Sequence, residues 1–406
     1  MFERTIQSYI ERTSRGFPAL LLTGPRQVGK TWLLQAMKET GRRYVSLDDM
    51  VARQLAKSDP RLFLQTYPPP VIIDEAQYAP ELFPYIKLYA DSQRQDGLFW
   101  LSGSQKFPLM KGIQESLAGR VAIIDLLGFS QKEASGRARQ SSPFWPSLGL
   151  LGHNENVGKM DALALFSLIW RGGFPRLVAN EQTERETFYR EYLQTYIERD
   201  VRDDIGVSHH LKFHDFIRAA AARTGALLNY ADLARDTDIN VKTAKIWLDA
   251  LSRSGIIKLV EPYSANIGQR IVKTPKLYFL DTGLCAYLTK WDSPESLMSG
   301  AMNGAILETW VFTEILKSFW HNGKEEAIWF YRDSNQKEID FVMEKNMTLY
   351  PVEVKKTAMP SPKDTRHFSI LDNIAGKKRG PGALICLYPH FMPLTENAIA
   401  VPAWEL

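Results

Sequence analysis

A run of eight residues near the amino terminus has the types and the spacing that bind a phosphate chain. It reads Gly24-Pro25-Arg26-Gln27-Val28-Gly29-Lys30-Thr31. It matches the P-loop pattern, in which glycines let backbone N–H groups curve around the phosphates. In that pattern the lysine, here Lys30, reaches the β- and γ-phosphates, and the hydroxyl of Thr31 binds magnesium. We therefore predict that this run, together with Trp32, binds ATP and Mg²⁺.

Two carboxylates further along the chain have the types needed for the chemistry of this site. Asp74 and Glu75 end the apolar run Val71-Ile72-Ile73, which follows three prolines. In P-loop enzymes an aspartate at this place binds the magnesium, directly or through water. Glu75 is then placed to activate the attacking water as a general base.

Hydroxyl groups and an arginine supply further candidates. The predicted strand Leu98–Leu101 leads into Ser102-Gly103-Ser104, and either serine could sense the γ-phosphate; Ser104 is the candidate catalytic residue. Arg120 is a candidate arginine finger, which could be donated to a neighbouring subunit. If it acts on a neighbouring subunit, a homo-oligomer is required. A surface or ion-paired arginine is the alternative interpretation of Arg120.

A second set of chemical residues lies in the last hundred-odd residues. Asp340 begins one predicted strand, and alternation along the next places Glu353 and Lys355 on one face. This Asp and Glu-x-Lys pattern is the arrangement of PD-(D/E)XK nucleases, where two carboxylates hold a divalent cation and lysine orients water. Glu308, on a predicted helix, would complete the site. The alternative is a degenerate domain that binds nucleic acid or mediates contacts.

The elements that must position these residues follow from the local patterns. The apolar run Ala19–Thr23 predicts a buried parallel strand, and Trp32–Glu39 predicts a helix, so that the phosphates meet a helix N-terminus. Strand, loop and helix in this order support the nucleotide site. Further along, Leu163–Trp170 predicts a helix, and Thr187–Asp203 predicts a long amphipathic helix.

The order of elements from about residue 210 to 280 predicts a winged helix. It consists of three helices and then a hairpin, over 214–223, 229–235, 241–252, 256–261 and 270–280. The third helix would be the recognition helix, with Lys242, Thr243 and Lys245 near its start. DNA is the expected partner, and a protein partner is the alternative, because fold does not determine function.

Composition sets outer bounds on these interpretations. The chain has 406 residues, 45% hydrophobic and 24% charged, which is typical of a globular protein of two to four domains. No apolar run of about 18 residues occurs, and the start lacks a signal-peptide pattern, so we expect a cytoplasmic protein without membrane contact. Two distant cysteines, Cys285 and Cys386, exclude a disulfide framework and a zinc cluster. The formal charge of +4 permits nucleic-acid binding without demonstrating it.

Several motifs together give the chain a resemblance to a known family. They are Gly24 to Thr31, Asp74-Glu75-Ala76-Gln77, Ser116-Leu117-Ala118-Gly119-Arg120, Gly172-Gly173-Phe174-Pro175, Thr195-Tyr196-Ile197-Glu198-Arg199-Asp200-Val201, Lys276-Leu277-Tyr278-Phe279-Leu280-Asp281-Thr282-Gly283-Leu284 and the region from Glu338 to Lys355. In their content and order the chain resembles bacterial and archaeal AAA-type P-loop ATPases with a winged-helix segment and a C-terminal PD-(D/E)XK nuclease-like domain of unknown function. The resemblance implies a role for Arg120 and makes Arg199 worth testing.

Residues and resemblance lead to one expected fold class, an α/β chain with distinct modules. We expect an AAA-type P-loop ATPase core at 1–135, a linker and helical lid-like segment at 136–205, a winged helix at 206–285 and a restriction-endonuclease-like α/β domain at 286–406. The expected activity is ATP hydrolysis that rearranges the attached modules. Two classes remain open for these modules: a metal-dependent nuclease gated by ATP, and a non-cutting switch that binds DNA or a protein.

Overall fold

The computed structural model describes residues 2–104, 109, 113, 116–156, 160–201, 210–264 and 274–406. In chain order the strands are β1 Ala19–Thr23, β2 Arg43–Ser46, β3 Val71–Asp74, β4 Phe99–Gly103, β5 Val121–Asp125, β6 Ala226–Leu227, β7 Ile257–Val260, β8 Lys276–Phe279, β9 Ile328–Arg332, β10 Glu338–Lys345, β11 Thr348–Val354, β12 Lys378–Arg379, β13 Gly382–Cys386, β14 Met392–Thr395 and β15 Ala398–Pro402. The α-helices are α1 Gln7–Ser14, α2 Lys30–Ala36, α3 Met50–Ser58, α4 Pro60–Thr66, α5 Leu82–Gln93, α6 Gln131–Ala134, α7 Ala162–Arg171, α8 Pro175–Ala179, α9 Arg185–Tyr192, α10 His210–Ala221, α11 Tyr230–Asp236, α12 Val241–Arg253, α13 Thr282–Leu288, α14 Pro294–Ser299 and α15 Asn303–Trp320. A π-helix, Leu193–Val201, continues α9, and 3₁₀ turns lie at Ala76–Tyr78, Ala138–Gln140, Leu148–Asn156, Pro362–Asn373 and Ala403–Glu405.

The first five strands form a parallel sheet in the order β2-β3-β4-β1-β5. Thr23, the last residue of β1, lies beside Gly103 of β4 and Asp125 of β5, so the carboxyl ends of the three strands meet at one edge. Every residue of β1 is buried, as expected for a central parallel strand that is covered on both faces. The segments that follow β1, β3 and β4 therefore lie close together.

The middle of the chain is mostly helical and contains a small antiparallel sheet. The sheet has the order β6-β8-β7, and the helices α10, α11 and α12 precede its last two strands. Asn229 and Asn240 cap α11 and α12, because their side-chain oxygens accept hydrogen bonds from backbone N–H groups of the first turns. These caps determine where both helices begin.

The carboxyl-terminal part contains a mixed sheet packed against the long helix α15. Its order is β14-β15-β13-β11-β10-β9, with β12 paired to β11. β9, β10 and β11 are antiparallel neighbours, whereas β11, β13 and β15 are parallel. Most of α15 is buried, including polar residues near its carboxyl end, and Glu308 on this helix is half-buried.

One hydrophobic core joins the three parts of the chain. It contains Leu22 of β1, Trp247 of α12, Phe312 of α15 and Val352 of β11. Leu21 belongs to a second core, on the other face of the parallel sheet, because successive side chains of a strand point to opposite faces. The amino-terminal part therefore shares its interior with the rest of the chain.

Several sequence-based predictions need correction. The predicted helix Thr187–Asp203 is an α-helix at Arg185–Tyr192 followed by the π-helix, and the side chain of Arg199 lies outside the described residues. Along Tyr350–Lys355, Val352 and Val354 belong to one hydrophobic core and Lys355 contacts Glu353, as the predicted alternation requires. The strand is nevertheless buried on both faces at Val352, Glu353 and Val354, and Lys355 lies beyond its end. Helix α2 begins at Lys30 rather than at Trp32.

The structure also describes the two cysteines and part of the strand predicted over 270–280. Cys285 and Cys386 are both buried and free. The predicted strand over 270–280 has its described part at β8, and residues 265–273 lie outside the described ranges. Within those ranges, no helix has the length and apolar character needed to cross a bilayer.

Candidate functional site

The P-loop residues follow β1 and wrap around the ammonium group of Lys30. Gly24 has a φ of +141°, and a Cβ there would lie 2.1 Å from the carbonyl oxygen of Leu126, so only glycine fits. Lys30 donates hydrogen bonds to the carbonyl oxygens of Gly24 at 2.9 Å and Pro25 at 2.7 Å. Burial lowers the pKa of Lys30 to about 8, although Glu75 and Asp74 oppose that change. An anionic phosphate at this place would stabilise the charged form.

The remaining residues predicted to hold nucleotide differ in exposure. Val28 is buried, and its carbonyl oxygen accepts a hydrogen bond from Arg4 at 3.1 Å. Gln27 has a positive φ of 63°, and the guanidinium carbon of Arg26 lies 5.7 Å from the centre of the Tyr196 ring. Trp32 is 46% exposed on the outer face of α2. Contact of these side chains with a nucleotide stays a prediction.

Asp74 lies at the centre of a set of hydroxyl groups. Its carboxylate accepts hydrogen bonds from Thr31 at 2.9 Å, from Tyr44 at 3.0 Å and from Ser102. Burial and the neighbouring Asp74 raise the pKa of Tyr44 to about 12, which keeps this phenol a hydrogen-bond donor. The predicted magnesium residues Thr31 and Asp74 are thus in direct contact. Tyr44 is a member of the site for which the sequence showed no pattern.

Glu75 adopts a backbone conformation that is rare for a residue with a side chain. Its φ is 55°, in the left-handed region, and such outliers concentrate at functional sites. Gln77 donates a hydrogen bond to its carboxylate, and the hydroxyl of Ser104 lies 3.4 Å from the same oxygen. The two candidate sensor serines therefore have different partners, because Ser102 contacts Asp74 and Ser104 contacts Glu75.

Arg120 lies at the opposite end of the strands, where β1 and β5 begin. Its carbonyl oxygen accepts from the backbone N–H of Ala19, at the amino end of β1. A strand of five residues spans about 16 Å, so Arg120 is far from the P-loop of its own chain. Its guanidinium forms an ion pair with Asp91 of α5, at 2.6 Å. As an arginine finger, Arg120 would therefore have to act on the nucleotide bound by a neighbouring subunit. That role stays a prediction.

The P-loop opens into a cavity of about 740 Å³ that three parts of the chain enclose. Thr23, Gly24 and Pro25 contribute one wall. The turn between α12 and β7, at 252–258, contributes a second wall, and residues 323–326 after α15 contribute a third. The cavity therefore connects the nucleotide loop directly to the other two parts of the chain.

Two of the motifs that carry the family resemblance meet at a half-buried carboxylate, away from the P-loop. Asp281 accepts hydrogen bonds from the backbone N–H of Gly173 at 2.8 Å, the hydroxyl of Tyr189 at 2.8 Å and the backbone N–H of Leu284 at 2.7 Å. A Cβ on Gly172 would lie 2.2 Å from the Tyr189 hydroxyl. These glycines and Asp281 therefore join α7, α9 and α13, which is a structural role.

The predicted C-terminal residues lie near one another, together with residues that the sequence analysis missed. Glu308 on α15 accepts hydrogen bonds from Lys276 at 3.0 Å and from Tyr278 at 2.6 Å, both on β8. Lys355 forms an ion pair with Glu353 at 2.7 Å, and the backbone N–H of Val354 donates to Asp340. Lys276 and Tyr278 are two residues apart on a strand, so their side chains share a face, which is the only local signal for their role.

Burial and mutual repulsion raise the pKa values of the acids in this cluster. Burial, and then the neighbouring Asp340, raises the pKa of Glu308 to about 7 and that of Glu353 to about 8. Burial also raises the pKa of Asp340. Within the described residues, no group of three or more His, Cys, Asp or Glu side chains is arranged to hold a metal ion. Metal binding by the pair Asp340 and Glu353 stays a prediction.

Comparisons with known proteins place an AAA domain at the amino terminus. Residues 16–135 match the family model of an AAA domain, and residues 163–295 and 303–406 match two domains of unknown function, DUF8612 and DUF4143. Uncharacterised proteins of Mycobacterium bovis and Mycobacterium tuberculosis are each 29% identical over 417 residues, with 99% of this chain and 84% of theirs covered.

Solved structures with detectable similarity include a Walker-type ATPase and a branch migration motor. A Walker-type ATPase of Pyrococcus abyssi has a TM-score of 0.46 at 17% identity, over 71% of this chain and 96% of its own. The RuvB Holliday junction branch migration motor of Thermotoga maritima has a TM-score of 0.30 at 16% identity, over 62% of this chain and 88% of its own. Residues 16–135 are thus similar to an AAA domain, in agreement with the parallel sheet and the P-loop sequence that they contain.

Proposed function

We propose that this protein hydrolyses ATP with Mg²⁺ and uses the nucleotide state to rearrange its attached modules. The observation that carries the proposal is the approach of Lys30 and Thr31 to Asp74 and Glu75 at one edge of the sheet. Lys30 would hold the β- and γ-phosphates, and Glu75 would act as general base on water.

The residues present fit magnesium in the form that ATP brings it. Mg²⁺ keeps several waters and takes one or two protein oxygens besides the phosphates. Thr31 and Asp74 offer such oxygens in direct contact, at 2.9 Å. Tyr44 and Ser102 hold the Asp74 carboxylate in place through their hydroxyl groups. The ion would neutralise charge on the phosphates, and Asp74 and Thr31 would orient it.

Coupling to the modules is supported by the cavity beside the P-loop. Lys258 of β7 forms an ion pair with Glu326, and Trp320 donates a hydrogen bond to the same carboxylate at 2.5 Å. All three residues line the cavity. A nucleotide that enters from the P-loop therefore reaches side chains of two other modules, and its hydrolysis changes what they contact.

Nucleic acid is the partner that we propose for the middle module. Three helices and a three-stranded sheet occur there in the order of a winged helix. Lys242 and Lys245 are exposed at the start of α12, and a recognition helix places such residues against DNA. A protein partner is the other outcome that an experiment can return.

One experiment tests both parts of the proposal. ATP hydrolysis with Mg²⁺ is measured with and without duplex DNA, for the native chain and for Glu75→Gln. We expect hydrolysis that DNA stimulates and that the variant loses. Hydrolysis that DNA does not change would move the partner to the protein class. No hydrolysis by the native chain with either addition would refute an ATPase that DNA activates.

A further inference from the structure

The C-terminal acid cluster contains a buried ammonium group that comes from another part of the chain. Lys276 belongs to β8 of the small three-stranded sheet, and it is 3% exposed. Its Nζ lies 3.0 Å from an oxygen of Glu308 and 2.5 Å from an oxygen of Glu338. Burial disfavours the charge on Lys276, but Glu308, Asp340 and Glu338 outweigh that cost and raise its pKa above the ordinary value.

One carboxylate oxygen of Glu308 contacts two side chains of this strand. Tyr278, two residues after Lys276, donates to the same oxygen of Glu308 at 2.6 Å. Both donors lie on one face of β8, because successive side chains alternate. A divalent ion bound to Glu308 would therefore have to displace or approach the ammonium group. The divalent ion and the ammonium group of Lys276 would then lie within a few ångströms of each other, and two cations so close in a buried place repel each other strongly.

The other acids of the cluster also have protein partners. Arg332 contacts Glu338 at 3.0 Å, the backbone N–H of Val354 donates to Asp340 at 2.8 Å, and Lys355 contacts Glu353 at 2.7 Å. One oxygen of Glu353 is buried without a hydrogen-bond partner. A divalent cation at this oxygen would lie beside the ammonium group of Lys355, which contacts the other oxygen of the same carboxylate, and the two positive charges would repel each other.

We propose that Lys276 is the resident cation of this cluster, in place of a divalent metal ion. The cluster then functions as a buried contact between β8 and the C-terminal sheet, which connects the middle module to the last one. The proposal does not depend on ATP hydrolysis. It favours the non-cutting class of function for the C-terminal module.

The test is binding of Mn²⁺ to the full chain without nucleotide. Binding is measured by titration calorimetry and by the electron paramagnetic resonance signal of free Mn²⁺. All proteins carry Asp74→Asn, which removes the proposed magnesium position beside the P-loop. The comparison is between this background and the same chain with Asp340→Asn. We expect identical titrations, because no metal binds at Asp340. A site whose affinity falls by about tenfold or more with Asp340→Asn would overturn the proposal.

A second variant tests Lys276 itself. Lys276→Met removes the ammonium and keeps the length of the side chain, so we expect it to gain Mn²⁺ affinity that Asp340→Asn abolishes, and Lys276→Arg to gain none. If Lys276→Met does not fold, the comparison at Asp340 still decides. Incubation of native protein with supercoiled plasmid and Mn²⁺ gives an independent readout. We expect intact plasmid, and nicking that Asp340→Asn abolishes would overturn the proposal.

Discussion

Gly255, in the turn between α12 and β7, lies directly against Pro25 of the P-loop. A Cβ built on Gly255 would lie 2.9 Å from Cγ of Pro25 and 3.0 Å from its Cδ. The two residues are far apart in the sequence, and both line the cavity beside the P-loop. A displacement of Pro25 toward Gly255 would therefore have to move this turn as well.

Gly255→Ala should therefore affect the nucleotide site without touching the nucleotide. The φ of Gly255 is +72°, so alanine costs about 1–2 kcal/mol from the backbone alone, and the added methyl group must also move Pro25. Gly376→Ala is the matched control, because Gly376 has a φ of +73° and no atom within 4 Å of its Cβ position. We expect both variants to lower the free energy of unfolding, and only Gly255→Ala to change ATP affinity. Equal ATP affinities in the two variants would contradict coupling through this contact.

Lys30→Met should abolish tight ATP binding. The ammonium group is buried within the loop, and hydrogen bonds to charged groups contribute about 1.5–3 kcal/mol, which is about 10- to 150-fold in affinity. Lys38→Met is the control, since Lys38 is exposed beyond the end of α2. Titration with a fluorescent ATP analogue measures both. Unchanged affinity in Lys30→Met would remove the P-loop assignment.

Glu75→Gln should separate binding from hydrolysis. Loss of a general base lowers a rate by about 10²- to 10⁴-fold, whereas the amide keeps the shape of the side chain. We expect the ATP affinity to stay near that of the native chain, as measured by the same titration. Glu81→Gln, at an exposed position nearby, should hydrolyse ATP normally. If Glu75→Gln retains hydrolysis, another group must activate the water.

Arg120→Ala tests action in a neighbouring subunit. If Arg120 completes the site of a partner, Arg120→Ala and Glu75→Gln should each be inactive alone and regain hydrolysis when mixed, because a mixed pair contains one intact site. Asp91→Ala breaks the ion pair within the chain and keeps the guanidinium, so its activity should remain. Full hydrolysis by a monomer, shown by light scattering during turnover, would exclude this role.

The two cysteines should report on unfolding. Both are buried, and burial raises the pKa of Cys386 to about 11 and that of Cys285 above its ordinary value. The reactive thiolate form is therefore scarce at pH 8 in the folded chain and increases as pH rises. An aromatic disulfide reagent should titrate no thiol in the native protein at pH 8 and both thiols in guanidinium chloride. A rapid native reaction would show that one of these regions opens.

Much of the nucleotide site was predictable from the sequence because its residues lie in short contiguous runs. Gly24 to Thr31 includes both the loop and its chemistry, and Asp74-Glu75 follows directly on an apolar run. Because parallel strands present their carboxyl ends at one edge, two such runs predict a common site. Thr31 and Asp74 meet as that argument requires.

Other relationships were decided only by tertiary structure. Lys276 with Glu308 and Gly255 with Pro25 join residues that are far apart in the chain. Periodicity and propensity describe only neighbours within a few residues, so they show which face of a strand Lys276 occupies and not which acid it meets. The sequence by itself determined the P-loop, its carboxylates and the order of the modules. Tertiary packing decided which part of the chain borders the P-loop and which cation contacts the C-terminal acids. Both depend on residues that only the folded core brings together.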